Sequence, residues 1–187
     1  MKEVSNFILR IFGWQAELSV TMPEKCVLAG APHTTNWDFP LTILSMAAMG
    51  IRFNWVGKHT LFRWPLGILM RALGGIPLER RSGGARFAIK AFELFRDRDR
   101  FILAIAPEGT RHRTAHWQAG FYKIAIKSNV PIALGYVDYK KKMIGIGKTL
   151  VPSGDSSKDF AVIKEFYRDK SGKYPEKQGE VRLKKKN

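Results

Sequence analysis

The stretch Cys26-Val27-Leu28-Ala29-Gly30-Ala31-Pro32-His33-Thr34-Thr35-Asn36-Trp37-Asp38 decides how this 187-residue chain is read. Its first six residues are an apolar run of strand length, and beyond it Leu41 to Met49 form the apolar body of a helix closed by Gly50. His33 and Asp38 fall between the two. Five residues turn a helix by about 500°, so this pair cannot share a helical face well. At a strand-to-helix junction it makes sense: His33 ends the strand, Asp38 opens the helix, and the turn folds the carboxylate back onto the imidazole. Thr35-Asn36-Trp37-Asp38 also fits a capping box, in which a hydroxyl and an acid three residues on satisfy free helix amides. The spacing alone leaves both readings open, and the rest of the chain must choose.

Outward from that junction, strands and helices alternate. Arg52 to Gly57 reads as a strand, Leu61 to Leu73 as a helical stretch interrupted at Pro65, and Ile76 to Glu79 as a short extended piece before Arg80-Arg81. From Ala85 the residues Ala88, Ile89, Phe92 and Phe95 recur at helical spacing. Phe101 to Ala106 is continuously apolar, as a central strand covered on both faces would be, and it delivers Pro107-Glu108-Gly109-Thr110-Arg111 at its C-terminal end. A helix over 120–127 leads to a strand over 130–137, with Met143 to Gly147 beside it as a hairpin. Ser156-Ser157-Lys158-Asp159 reads as a capping box opening a last helix that ends near Arg168.

This alternation predicts one α/β domain with a largely parallel central sheet flanked by helices. Sites in such sheets gather at the carboxyl ends of strands, where His33 and Glu108 both fall. The expected organisation is an N-terminal amphipathic helix over 1–20, the α/β domain over 21–170, and a basic mobile tail over 171–187 that is nearly free of apolar residues.

Lysine and arginine total 32 against 16 acidic residues, a net charge of +16, so an anionic partner is expected. Charge by itself also fits a non-enzymatic basic module that binds nucleic acid, and the tail Arg182-Leu183-Lys184-Lys185-Lys186 suits one. No recognised nucleic-acid motif accompanies the charge, however, and the aromatic residues sit at core-compatible spacings, so no specific nucleic-acid partner is expected. The single cysteine, Cys26, lies in an apolar run and offers neither a disulfide framework nor a metal cluster. His112 and His116 are four apart, as two zinc ligands on a helix would be, but arginines flank them and no third ligand is evident, so no metal is expected.

No apolar run reaches the roughly 18 to 20 residues that span a bilayer, and the N-terminus lacks the small-residue cleavage site of a signal peptide. Phe7, Ile8, Ile11, Phe12 and Trp14 form an apolar stripe with Lys2 and Arg10 at its margin. That pattern suits a helix lying in a membrane interface, and it equally suits one packed on the protein's own core.

Four segments in order resemble the glycerolipid acyltransferase family that includes lysophosphatidic acid acyltransferases. They are His33 to Asp38, Gly74 to Arg80, Pro107 to Arg111 and Val130-Pro131-Ile132. Lys58 with Leu61 and Pro65 resembles a lysine-containing segment that the family places between the first two blocks. The chain departs from the family at Ala31-Pro32 before His33, at Pro77 in the second block and at Ala106 before Pro107, and these changes bear on the acceptor rather than on the chemistry.

The resemblance implies a glycerol-phosphate-acyltransferase-like fold and transfer of a fatty acyl group from acyl-CoA or an acyl-carrier-protein thioester to the hydroxyl of a lysophospholipid or glycerol-phosphate-like acceptor. No bound cofactor is expected, because the thioester is a co-substrate. Such chemistry needs a base for the hydroxyl and a partner for the resulting imidazolium, roles that suit His33 and Asp38. Arg80 and Arg111, with Lys58, suit a phosphate, and the resemblance adds Glu108, Gly109 and Thr110 to the acceptor site. Without a Gly-x-Ser-x-Gly elbow, direct attack by the acceptor hydroxyl is expected rather than an acyl-enzyme. A lipid acceptor adds an anionic membrane surface as partner and predicts a cytoplasmic enzyme held peripherally on the membrane.

Overall fold

Alternation along the apolar runs builds a sheet with helices on both sides. The computed structural model describes residues 2–78 and 83–184. Its elements in chain order are α1 (Lys2–Ile11), β1 (Gln15–Leu18), β2 (Lys25–Ala31), α2 (Asp38–Met49), β3 (Asn54–Lys58), α3 (Leu66–Ala72), β4 (Gly75–Leu78), α4 (Gly83–Asp97), β5 (Phe101–Ile105), α5 (Gly120–Lys127), β6 (Ile132–Asp138), β7 (Met143–Leu150) and α6 (Ser156–Tyr167). Among the described residues the strands form one seven-stranded sheet in the order β1-β7-β6-β2-β5-β3-β4. The five strands from β6 to β4 run parallel, β7 turns back antiparallel on β6, and β1 lies parallel to β7 at the edge. The expected α/β architecture is therefore the observed one.

Side-chain period fixes what each face packs against. Cys26 and Leu28 of β2, Ile102 and Ala104 of β5 and Ala133 of β6 meet Met46 and Met49 of α2. Their neighbours Val27, Ala29, Leu103, Ile132 and Leu134 meet Phe95 of α4, Phe121 and Ile124 of α5 and Ile163 of α6. Leu9 and Trp14 at the end of α1 pack with Ala48 of α2, Val137 and Ile144. Phe62, in a 3₁₀ turn at His59–Phe62, and Met70 of α3 pack on Trp55 of β3. One face is thus covered by α1, α2 and α3 and the other by α4, α5 and α6. Gly50 closes α2 in the left-handed region at φ 73°, where a residue without a Cβ carries no steric penalty.

Four readings from sequence meet differences. Strand β1 was not expected, because four residues with a glutamate carry no apolar alternation; pairing with β7 makes it a strand and ties the first twenty residues into the sheet. Trp14 does not belong to an exposed stripe: it is 7% exposed, and its ring stands edge-on to Tyr139 at 4.9 Å. Helix α6 is capped by Asp155, whose carboxylate accepts from the Ser157 and Lys158 amides, while Asp159 accepts from the Tyr122 hydroxyl and from Ser153.

The fourth difference is the stretch expected as a mobile tail. The Ser171 carbonyl accepts from the Tyr139 amide at 2.8 Å, the Arg182 carbonyl accepts from the Trp117 amide at 2.8 Å, and Leu183 bridges to Trp117. Composition does not register backbone hydrogen bonds of this kind, which is why a polar segment can still lie against the domain. Among the described residues no helix is long and apolar enough to cross a membrane.

Candidate active site

Strand β2 stops at the junction, and the turn that follows places the Asp38 carboxylate among four donors. Its Oδ2 lies 3.0 Å from His33 Nδ1 and accepts from the Thr34 and Thr35 amides at 2.9 and 3.0 Å. Its Oδ1 accepts from the Tyr139 hydroxyl at 2.8 Å. An ionised carboxylate can only accept, so Nδ1 carries the hydrogen and Nε2 keeps its lone pair. Asp38 is buried at 3% exposure, whereas the His33 side chain is 27% exposed, so the carboxylate is held and the imidazole can be reached. The capping-box reading does not hold, because α2 opens at Asp38 with Trp37 as its N-cap and no side-chain cap bond; the carboxylate instead accepts from the Thr34 and Thr35 amides of the preceding turn and orients the histidine.

Strand β5 delivers the second block beside the first, since Val27 of β2 and Leu103 of β5 are in register. Gly109 takes a positive φ of 69°, closing a turn in which its amide donates to the Ala106 carbonyl at 3.1 Å. That turn keeps Glu108 inside at 5% exposure, with Oε2 accepting from the His33 amide at 2.7 Å. Burial pushes the Glu108 pKa up to about 7, and the bond from the His33 amide opposes the shift without cancelling it. Glu108 therefore fastens the end of β5 to the residue it was expected to work beside.

The remaining candidates are placed unevenly. The Arg111 guanidinium donates to Asn36 Oδ1, lying over the His33–Asp38 turn. Thr110 accepts from the His112 amide at 3.3 Å through its hydroxyl. Lys58 is exposed at the end of β3, in register with Leu78 of β4. Arg80 lies outside the described residues. Cys26 is fully buried, and desolvation pushes its thiol up to about 12, which leaves it inert as a nucleophile.

Tyr139 was not singled out from sequence. It lies in the β6–β7 turn, 101 residues from Asp38, and no local pattern marks it. Burial and the bond to Asp38 push its phenol well above the ordinary tyrosine range, so it serves as a fixed donor. The segment after α6 adds a cover. The Tyr174 amide donates to Thr34 Oγ1 at 3.3 Å, and Gly172 lies so close that an added Cβ would meet the Thr34 side chain at 2.8 Å.

A cavity of about 160 Å³ opens between α2 and the sheet. His33 and Asp38 line it together with Phe39, Met46, Met49, Phe53 and Trp55, so one polar pair faces an apolar slot. The family model described as Acyltransferase matches residues 17–133, more than half of the sequence and every candidate from His33 to Arg111. The chain belongs to the acyltransferase family. A crystal structure of the 1-acyl-sn-glycerophosphate (LPA) acyltransferase PlsC from Thermotoga maritima is similar, with a TM-score of 0.58 and 14% identity over 84% of this chain and 70% of that one. At that identity the likeness is one of fold. A search of curated proteins finds no match. The arrangement combines an oriented imidazole, a buried carboxylate and an apolar slot beside them.

Proposed function

We propose that this acyltransferase moves a fatty acyl group from an acyl-CoA or acyl-carrier-protein thioester to the hydroxyl of a lysophospholipid or glycerol-phosphate-like acceptor, with His33 as general base. The observation that carries the reading is the His33 Nδ1 to Asp38 Oδ2 bond of 3.0 Å, formed by a carboxylate that three further donors hold in place. Nε2 takes the acceptor's proton as its oxygen attacks the thioester carbonyl. The tetrahedral intermediate collapses with loss of the thiolate, which recovers the proton from the imidazolium, and Asp38 stabilises that cation while it lasts.

The acyl chain occupies the slot beside Phe39, Met46 and Trp55. The acceptor's anionic group meets Arg111, with Lys58 and Arg80 as further cations; a guanidinium forks onto two phosphate oxygens where an ammonium acts as a point charge. Glu108, Gly109 and Thr110 shape the acceptor side, Glu108 through the His33 amide.

The reaction takes place at an anionic membrane surface on the cytoplasmic side. Phe7 and Ile11 of α1 and Phe12 just after it are 63 to 66% exposed, and Lys2 and Arg10 beside them each contribute about 1 kcal/mol toward an anionic surface. Purified protein given labelled acyl thioesters and a panel of lysolipids tests the whole reading. His33→Ala should cut turnover by roughly 10²–10⁴ at unchanged circular dichroism. A folded His33→Ala protein with full activity would falsify the general-base assignment.

A further inference from the structure

The connection between β3 and β4 buries one set of apolar residues and exposes another. Phe62, Gly67 and Met70 face inward, and Gly67 sits so close to the Phe62 carbonyl that an added Cβ would meet it at 2.1 Å. The other apolar side chains remain in solvent: Trp64 is 84% exposed, Ile68 69%, Leu69 53% and Leu66 48%. Water does not favour such a contiguous apolar rim, and nothing among the described residues covers it. The segment that carries it has charges of one sign. Residues 39–78 contain Arg52, Lys58, Arg63 and Arg71 and not one Asp or Glu, and these four basic side chains are exposed.

The rim is joined to the mouth of the cavity by a short path of rings. Phe62 stacks on Trp55 at 5.7 Å, Trp55 meets Phe39 at 4.5 Å, and Phe39 follows Asp38 in the chain. Both Trp55 and Phe39 line the slot that also holds His33. Trp37, immediately before Asp38, is itself 63% exposed. The α3 segment, moreover, covers the same face of the sheet as α1 and α2.

We propose that residues 61–69 are a lipid-docking element, separate from α1, that inserts Trp64, Ile68 and Leu69 into the headgroup boundary of an anionic bilayer and so sets the mouth of the His33 cavity against the leaflet. The apolar residues supply insertion and the arginines on either side supply attraction, the pairing an interface selects. A lipid substrate then reaches the slot without crossing water. This last step rests on the acyl-transfer reading, whereas the docking itself does not.

The full chain and a Trp64→Ser/Ile68→Ser variant are compared for sedimentation with phosphatidylcholine vesicles and with vesicles that also contain phosphatidylglycerol. Both substitutions are at exposed positions outside the catalytic machinery. The variant should bind anionic vesicles on the order of tenfold more weakly or worse, given the apolar area withdrawn. Its activity on a lysolipid embedded in vesicles should fall in step, while activity on a short-chain water-soluble acceptor stays at the parent level.

In a Trp37→Phe background, which leaves Trp64 as the one exposed tryptophan, brominated acyl chains should quench tryptophan emission, and adding Trp64→Phe should remove most of that quenching, because Trp14, Trp55 and Trp117 are buried. Sedimentation equal to the parent's, or quenching unchanged when Trp64→Phe is added, overturns the proposal. So does a parent that forms a dimer and leaves vesicles alone, with the variant monomeric, since the rim then meets a second copy. A parent that binds vesicles through Trp64 yet transfers no acyl group to any acceptor upholds the docking and removes the acyl-transfer reading instead.

Discussion

The two faces of the sheet are built from the same strands and finished differently. On the α4–α6 side, Trp117 stands edge to face with Phe121, Phe160 and Tyr167, and Phe121 is tilted against Phe160, with ring centroids 5.3 to 6.3 Å apart. The Tyr167 hydroxyl, buried there, lies 2.8 Å from the carbonyl oxygens of both Ala29 and Gly135, which share its single hydrogen. On the α1–α3 side, a slot of about 160 Å³ stays open and the outer surface keeps apolar side chains in solvent. One side therefore supplies stability and the other leaves room for a ligand. A packed interior has no reason to keep such a slot for its own sake, because unfilled apolar volume weakens it.

The contrast breaks most visibly in the aromatic cluster. Phe121→Ala should destabilise the protein by about 3–5 kcal/mol, whereas Met49→Ala, at a half-buried side chain already bordering the slot, should stay under about 2 kcal/mol. Urea unfolding of the two variants measures the difference, and equal losses would mean that both faces are packed alike.

Next in size is a titration on the site's own edge. Glu108 titrates near 7 in the fold and near its ordinary 4.5 when unfolded, so the folded state holds an extra proton between those pH values. Stability conferred by that proton is full below about 4.5 and is lost as pH rises through about 7. Glu108→Gln can still accept from the His33 amide and has nothing to ionise. It should be more stable than the parent at pH 8 by about 2–3 kcal/mol and show a flatter profile between pH 5 and about 8. Thermal melts across pH would contradict this if the two profiles ran parallel.

The smallest effect sharpens how the open face is tuned. Tyr139→Phe removes one of four donors to Asp38 and keeps the ring that Trp14 stands against. Turnover should fall about tenfold with little change in KM, the size expected for a hydrogen bond to a charged group. A purely structural tyrosine would lower stability and leave the turnover of the folded protein where it was.

Through its Trp14 contact, Tyr139 also links the segment after α1 to Asp38, so the chain leaving the helix proposed to meet the membrane touches a residue that holds Asp38. The C-terminal segment adds a second link of this kind, from Ser171 to Tyr139 and from Tyr174 to Thr34. Neither link follows from spacing.

What the sequence determined by itself is what depends on neighbours along the chain. The runs at Cys26–Ala31 and Phe101–Ala106 are strands because apolar residues with no polar alternation suit a strand covered on both faces. The five-residue step from His33 to Asp38 requires a turn, and Gly109 marks another, because backbone geometry is local. Tertiary structure alone decided the rest: that Glu108 is buried under the His33 amide and titrates high, that Tyr139 completes the hold on Asp38, that β1 and the segment after Ser171 belong to the domain, and that α2 stands off the sheet far enough to leave a slot. Each of these joins residues far apart in the chain through desolvation, a directed hydrogen bond or packing volume, and those quantities exist only once the strands have been laid side by side.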